Sequence, residues 1–253
     1  MLRIIQITDT HLLADKHGLL RGHDTDRSLR SVLDHVAQHA APFDLVLVTG
    51  DLAHQAEPNA YMRLKSYLEK TGVPIECLPG NHDRQSVMQA SFIPYGIGCA
   101  NILDRRPWRI IMLNSVIPGQ DLGQLSAAEL ARLDNALRDL TESHALVCLH
   151  HPPVPVGNPS MDEMGLSNAA EFFRVIDAHS CVRAILWGHA HSEFADVRRG
   201  VQLLGTPSTC FQFRASAAGI AVDDAPPAYR WLWLFPDGTL KTGVTPVSIT
   251  AID

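Results

Sequence analysis

Hydrophobic positions along this chain fall into short unbroken runs separated by longer amphipathic stretches. The runs cover residues 2–8, 44–49, 74–78, 108–114, 145–149 and 182–187, and they are rich in β-branched residues. None alternates polar with apolar positions, which predicts strands buried on both faces. Between the runs lie segments of helical period. One covers residues 25–40 and sets Leu29, Val32, Leu33 and Val36 on one face. Pro58 suits the first position of a second helix, which Gly72 would end. Ser126 with Glu129 reads as a capping box, opening a helix whose stripe is Leu130, Leu133, Leu137 and Leu140. Asn168 is placed to cap a further helix through Phe172 and Ile176. Towards the end the pattern changes to short strands and turns, "FADVRRGVQLLG" and "RWLWLFPDGTL", the second turning at Pro236-Asp237-Gly238. The layout predicts an α/β fold in one domain over residues 1–253, with strands at about 194–245 completing a second sheet.

The polar residues gather at the ends of these runs. Asp9, Thr10 and His11 follow the first, Gly50 and Asp51 the second, and Gly80, Asn81, His82 and Asp83 the third. His150 and His151 follow "ALVCL", and Gly188-His189-Ala190-His191 follows "AILW". Any one cluster reads as an ordinary turn or cap. Jointly they put carboxylate, amide and imidazole groups at the carboxyl ends of successive strands, the edge at which open α/β sheets bind ligands. The glycines before Asp51, Asn81 and His189 would let backbone approach a shared centre.

Composition narrows the classes. The 253 residues are 46% hydrophobic and 19% charged, as in an ordinary globular chain. No apolar run approaches the roughly 20 residues that span a bilayer, and nothing resembles a signal peptide, so no membrane and a cytoplasmic setting are expected. Five scattered cysteines without a CxxC pair suit reduced thiols. A net charge of −6 argues against nucleic acid as a partner and leaves the arginine pairs as surface charge. A homodimer or higher homo-oligomer is compatible with these features.

Asp, His and Asn are hard-to-borderline donors, and no cysteine joins the clusters, which excludes a thiolate zinc site. Seven such side chains exceed the needs of one ion that keeps an open position. They suit two ions sharing a carboxylate, a pair about 3.5–4 Å apart that clamps phosphorus for in-line displacement with a metal-bound hydroxide as nucleophile.

In this order, D-x-H, G-D, G-N-H-D, H and G-H-x-H resemble the calcineurin-like metallophosphoesterase superfamily. The resemblance implies a four-layer α/β/β/α sandwich. It also implies one ion on Asp9, His11 and His191, a second on Asn81, His150 and His189, and Asp51 bridging them. "HHPPVPVGNPSMD", "GLSNAAEF", "LLGTPSTCFQF" and "DTDRSL" are similar to the class III cyclic-nucleotide phosphodiesterases, the bacterial 3′,5′-cyclic-AMP group in particular. Hydrolysis of cyclic AMP to 5′-AMP is therefore the implied activity. A glycerophosphodiester or broad-specificity phosphodiesterase is the alternative, and a non-catalytic scaffold the remote one. Fe, Mn and Zn all accept such a donor set, and the resemblance favours an Fe/Mn centre.

Beyond the ligands, His82 is the candidate to protonate the leaving oxygen, because adjacent side chains leave a turn in different directions and Asn81 is taken as the ligand. Asp83 would accept the other N–H of His82 or cap the next helix. His11, Asn81, His82, His151 and His191 are the candidate substrate contacts, with His151 equally readable as a structural neighbour. His54 reads as a solvated or loop-stabilising histidine, and Arg21 and His23 as borders of the pocket.

Overall fold

The doubly apolar runs are strands at the centre of a computed structural model, which describes all residues except 41, 141, 217–218 and 250–253. In chain order the strands are β1 Leu2–Ile7, β2 Leu45–Thr49, β3 Ile75–Leu78, β4 Ile102–Arg105, β5 Trp108–Met112, β6 His144–Cys148 and β7 Val182–Trp187. They continue as β8 Phe194–Arg198, β9 Val201–Gly205, β10 Gln212–Ser216, β11 Gly219–Asp223, β12 Ala228–Leu234 and β13 Leu240–Pro246. The helices are α1 Thr25–His39, α2 Pro58–Leu68, α3 Gln85–Phe92, α4 Ala127–Arg138, α5 Pro159–Asp162 and α6 Ala169–Asp177.

Two sheets result, ordered β13-β12-β1-β2-β3 and β4-β5-β6-β7-β9-β8. Within them β1, β2 and β3 pair in parallel, as do β5, β6, β7 and β9. Successive residues of one strand serve different layers. Ile5, Ile7, Val46 and Val48 pack outward with Leu29, Val32 and Val36 of α1 and Leu64 and Leu68 of α2. Ile4, Leu45 and Leu47 point inward, against Ile110, Leu146 and Leu186 of the second sheet. The far face of that sheet is covered by Leu133 and Leu137 of α4 and Phe172 and Ile176 of α6. The order is helix, sheet, sheet, helix, and the unalternated strands follow from it.

The helix signals resolve unequally. Gly72 stops the second helix after one 3₁₀ turn, at φ 70°. Ser126 Oγ accepts Glu129 N–H at 3.1 Å, but Glu129 does not return the bond; its carboxylate accepts Asn114 N–H at 2.8 Å. Asn168 starts α6 without a side-chain cap. Its amide instead spans Leu125, accepting N–H at 3.0 Å and donating to the carbonyl at 2.9 Å.

The late strands correct one expectation. They do not all complete the second sheet. β8 and β9 join it, whereas β12 pairs antiparallel with β1 and, with β13, extends the first sheet. β1 uses only one edge for β2, and the other edge takes β12, whose Arg230 is buried and donates to Thr206 Oγ1 and Gly205 O. β10 and β11 form a separate hairpin. The helix expected after Asp83 is α3, whereas α5 and the short edge strand β4, both weak in periodicity, were unforeseen. Among the described residues no helix is long and apolar enough to cross a membrane, and the five cysteines are unpaired.

Candidate active site

The residues that follow β1, β2, β3, β6 and β7 meet at one rim of the two sheets. Backbone bonds knit the first two loops together: Asp9 N–H donates to Gly50 O at 3.0 Å and His11 N–H to Asp51 O at 2.9 Å. Asp9, His11, Asp51, His189 and His191 all adopt left-handed backbone, with φ of 53°, 43°, 52°, 65° and 46°. That region costs a residue bearing Cβ about 1–2 kcal/mol and persists only where the surroundings over-determine it. Five such residues converge on this one rim.

Two of the glycines show why the approach needs them. A Cβ on Gly80 would sit 2.2 Å from Asp51 Oδ1 and 2.7 Å from His150 Nε2. One on Gly188 would sit 2.1 Å from Thr8 Oγ1 and 2.7 Å from Asp9 Oδ2.

The side chains then sort into two groups about a shared carboxylate. Ligand atoms of Asp9, His11 and His191 lie within 4.8 Å of one another. Across from them, Asn81 Oδ1 is 3.2 Å from His150 Nε2 and 3.1 Å from His189 Nδ1. Asp51 Oδ2 stands between, 3.5 Å from His11 Nε2 and 3.3 Å from His150 Nε2.

Tautomers decide what these atoms offer. His150 donates its Nδ1–H to Thr49 O at 2.9 Å, and His191 donates its own to Phe211 O at 2.7 Å. In its neutral form each therefore presents an unprotonated Nε2 to the centre. There they meet other lone pairs: Asp51 Oδ2, Asn81 Oδ1 and, 3.1 Å from His191 Nε2, His11 Nε2. Ring nitrogens, carboxylate and amide oxygens that converge in this way suit divalent cations. Burial raises the Asp9 carboxyl to about 7 and lowers the His189 and His191 imidazoles to about 3 and 4. Burial also lowers His11 well below its ordinary value. Burial alone would raise Asp51 and lower His150, but their facing charges reverse both, holding Asp51 well below the carboxylate range and lifting His150 to about 9. Burial thus holds His11, His189 and His191 neutral, the form in which histidine binds a metal, whereas the facing carboxylates of Asp51 and Asp9 favour a proton on His150 that a bound cation would displace.

His82 lies beside this centre. It donates Nδ1–H to His54 O at 2.9 Å, which leaves Nε2 for the cavity. Its partner is not Asp83, and both readings of Asp83 are corrected. The Asp83 carboxylate accepts the N–H groups of Leu52, Ala53 and Gly80 at 3.0, 3.1 and 2.9 Å and the Tyr61 hydroxyl at 2.8 Å. These donors use up its oxygens, so it anchors the Asp51 loop. Nor does it cap α3, whose N-cap is Arg84. His54 does more than a solvated histidine: besides its carbonyl's bond to His82, its Nδ1 lies 3.3 Å from His11 Nδ1 and its ring stacks on His82 at 4.6 Å.

His151 is also corrected as a substrate contact. It is wholly buried, with Nδ1 2.7 Å from Ser115 Oγ and its ring 4.7 Å behind that of His189. Gly123 backs it so closely that a Cβ there would lie 2.3 Å from His151 Cγ. The turn that follows His150 points the next side chain away from the opening.

The opening is a cavity of about 270 Å³ lined by His11, Asn81, His82 and His191, with Arg21 at its border as expected. His23 packs against Phe211, ring to ring at 5.3 Å. Sequence reasoning missed Asp121, which accepts Asn81 Nδ2–H at 3.2 Å and so turns Asn81 Oδ1 inward. Met161, Phe211 and Phe213 line the cavity from the segments "HHPPVPVGNPSMD" and "LLGTPSTCFQF", whose resemblance bears on substrate, though neither they nor Met164 were singled out as residues. The two phenylalanines stand two apart, the spacing of one strand face; Asp121, in a turn, carries no such signal.

Comparison with known proteins agrees with this arrangement. The chain is 39% identical to the 3′,5′-cyclic adenosine monophosphate phosphodiesterase CpdA of Escherichia coli over 243 residues, covering 96% of this chain and 88% of that one. It is 36% identical to the CpdA of Pseudomonas aeruginosa over 244 residues, covering 96% and 89%. A dimetal phosphatase from Danio rerio shares the fold at a TM-score of 0.63, with 14% identity over 98% of this chain and 99% of that one. The family model for the calcineurin-like phosphoesterases matches residues 2–193, which hold every polar cluster described above. With its strand-end motifs intact and both sheets in register, the chain belongs to the calcineurin-like phosphoesterase family.

Proposed function

We propose that the protein is a metal-dependent phosphodiesterase that hydrolyses 3′,5′-cyclic AMP to 5′-AMP. One observation carries the reading: the Asp51 carboxylate lies between two convergent donor groups at the floor of an open cavity. The similarity to cyclic-AMP phosphodiesterases along nearly the whole chain supports the substrate. Asp9, His11 and His191 would hold one divalent ion, Asn81, His150 and His189 a second, and Asp51 both; Fe/Mn is the favoured pairing. Bound there, the ions supply charge neutralisation for the phosphoryl oxygens and acidify water.

The chain's own residues do the rest. Asp121 and the backbone carbonyls of Thr49 and Phe211 keep Asn81, His150 and His191 aimed inward. His82 is gripped at Nδ1 by the His54 carbonyl. In its doubly protonated form it would give the Nε2 proton to the leaving 3′-oxygen as the P–O3′ bond breaks and the new P–O bond from water forms. The proton shed by that water restores the count. A net charge of −6 favours a small substrate over nucleic acid, and five unpaired thiols suit the cytoplasm. A second reading, hydrolysis of glycerophosphodiesters, draws on an adjoining cavity of about 480 Å³ that shares His54, Asn81 and His82 and offers the polar groups of Arg84, Gln85 and Asn114.

The test is turnover by metal-reconstituted protein of 3′,5′-cyclic AMP, 2′,3′-cyclic AMP and glycerophosphodiesters side by side. Preferred conversion of the first to 5′-AMP is expected. Turnover of glycerophosphodiesters without cyclic AMP would replace the first reading by the second.

A further inference from the structure

The cavity is two-sided. Its floor is the ring of carboxylates, amide and imidazoles, whereas one wall is apolar: Met161, Met164, Phe211, Phe213 and Ile220, with Arg21 at the lip. Hydrolysis at phosphorus needs none of these groups. They come from parts of the chain outside the strand-end motifs: the α5 segment, the separate β10–β11 hairpin and the loop that follows β1.

The wall is tied to the centre. His191 donates to Phe211 O at 2.7 Å, Phe213 N–H donates to His191 O at 3.2 Å, and the Phe213 ring stacks on the His191 imidazole at 4.4 Å. The apolar surface therefore begins where the phosphate site ends, within reach of a group attached to the phosphate through one sugar. We infer that this wall is a nucleobase subsite and that the enzyme selects its substrate by the base as well as by the cyclic phosphate. The inference rests on the phosphodiesterase reading and extends it.

The chemistry of the wall decides the ligand class. Phenyl rings and thioethers offer dispersion and edge contacts to a flat heteroaromatic ring. A glycerol or sugar arm would bring hydroxyls to a surface with few partners for them. A quaternary ammonium arm would suit aromatic rings, but the Arg21 guanidinium lies 5.5 Å over Phe213 and forms no ion pair among the described residues. Its uncompensated charge opposes a cation and leaves a planar group that stacks on, and donates to, a base.

The experiment compares kcat/KM for 3′,5′-cyclic AMP with that for ribose 3′,5′-cyclic phosphate, which lacks the base. It uses metal-loaded wild type, Phe213→Leu and Met164→Ala, with bound metal measured in each. Taking the ratio cancels any general damage that Phe213→Leu does through His191, and Met164 is a second probe on a different segment. In wild type the base is expected to raise kcat/KM by about tenfold or more, the scale of one base stacked on aromatic groups, and each substitution to lower the ratio several-fold. A wild-type ratio near one, or a ratio kept in both variants, would overturn the subsite while leaving the phosphodiesterase reading intact. Turnover of neither compound would overturn both.

Discussion

Three adjacent residues of one turn divide their work by the directions in which their side chains leave it. Asn81 Oδ1 faces the imidazoles of His150 and His189, His82 reaches the carbonyl of His54, and Asp83 turns back beneath the Asp51 loop. A prediction separates the first two. Asn81→Ala removes one donor from the group with His150 and His189, so one equivalent of metal should bind more weakly. His82→Ala should keep both equivalents and lower kcat by about 100-fold, the low end of what a positioned proton donor supplies. Metal analysis alongside kinetics checks this, and equal metal loss in the two variants would refute the division. Asp83 shows where local reading fails. Nothing in "GNHDRQ" says that the carboxylate will meet Leu52, Ala53 and Tyr61, because those donors arrive from other elements.

Among the elements, the strands carry the site and the glycines at their ends allow it. Gly188 follows β7 and faces Thr8 and Asp9, which follow β1, so the side chains of Thr8 and Asp9 pack directly on the Gly188 backbone where the second sheet meets the first. Gly188→Ala should force the two strand ends apart. The expected cost is about 1–3 kcal/mol of stability, as for overpacking at other tight contacts, together with lost metal stoichiometry. Denaturant unfolding and metal analysis read the two effects. A variant that keeps wild-type metal content would show that the approach tolerates a methyl group. The parallel strands, and helices such as α1, were legible because period and burial coincide in them. The late strands were legible as strands but not as members of a sheet, since a period of two says nothing about which open edge a strand will take.

At the scale of the whole molecule, the site is a seam between two sheets, closed by bonds such as His150 Nδ1 to Thr49 O. Ions bound there would join the loops that follow β1, β2, β3, β6 and β7, and anything that binds only the folded state stabilises it. Metal at about 100 times its Kd should contribute about 2.7 kcal/mol, which at this size raises Tm by about 5–10 °C. Chelation should reverse the shift, and equal Tm for chelated and loaded protein would remove the basis of the metal reading. The seam was readable in advance because its residues follow strands that had to be buried. By itself the sequence determined the strand ends, the donor types on them and the glycines that let them converge, because each is a local property of a few neighbouring residues. Only the tertiary structure decided that Asp83 braces a loop, that His151 is sealed behind His189, that Asp121 aims Asn81, and that a hairpin and a short helix wall the cavity. Those outcomes depend on partners that other elements deliver, Tyr61 to Asp83, His189 to His151 and Asp121 to Asn81, and local sequence carries no record of which elements will meet.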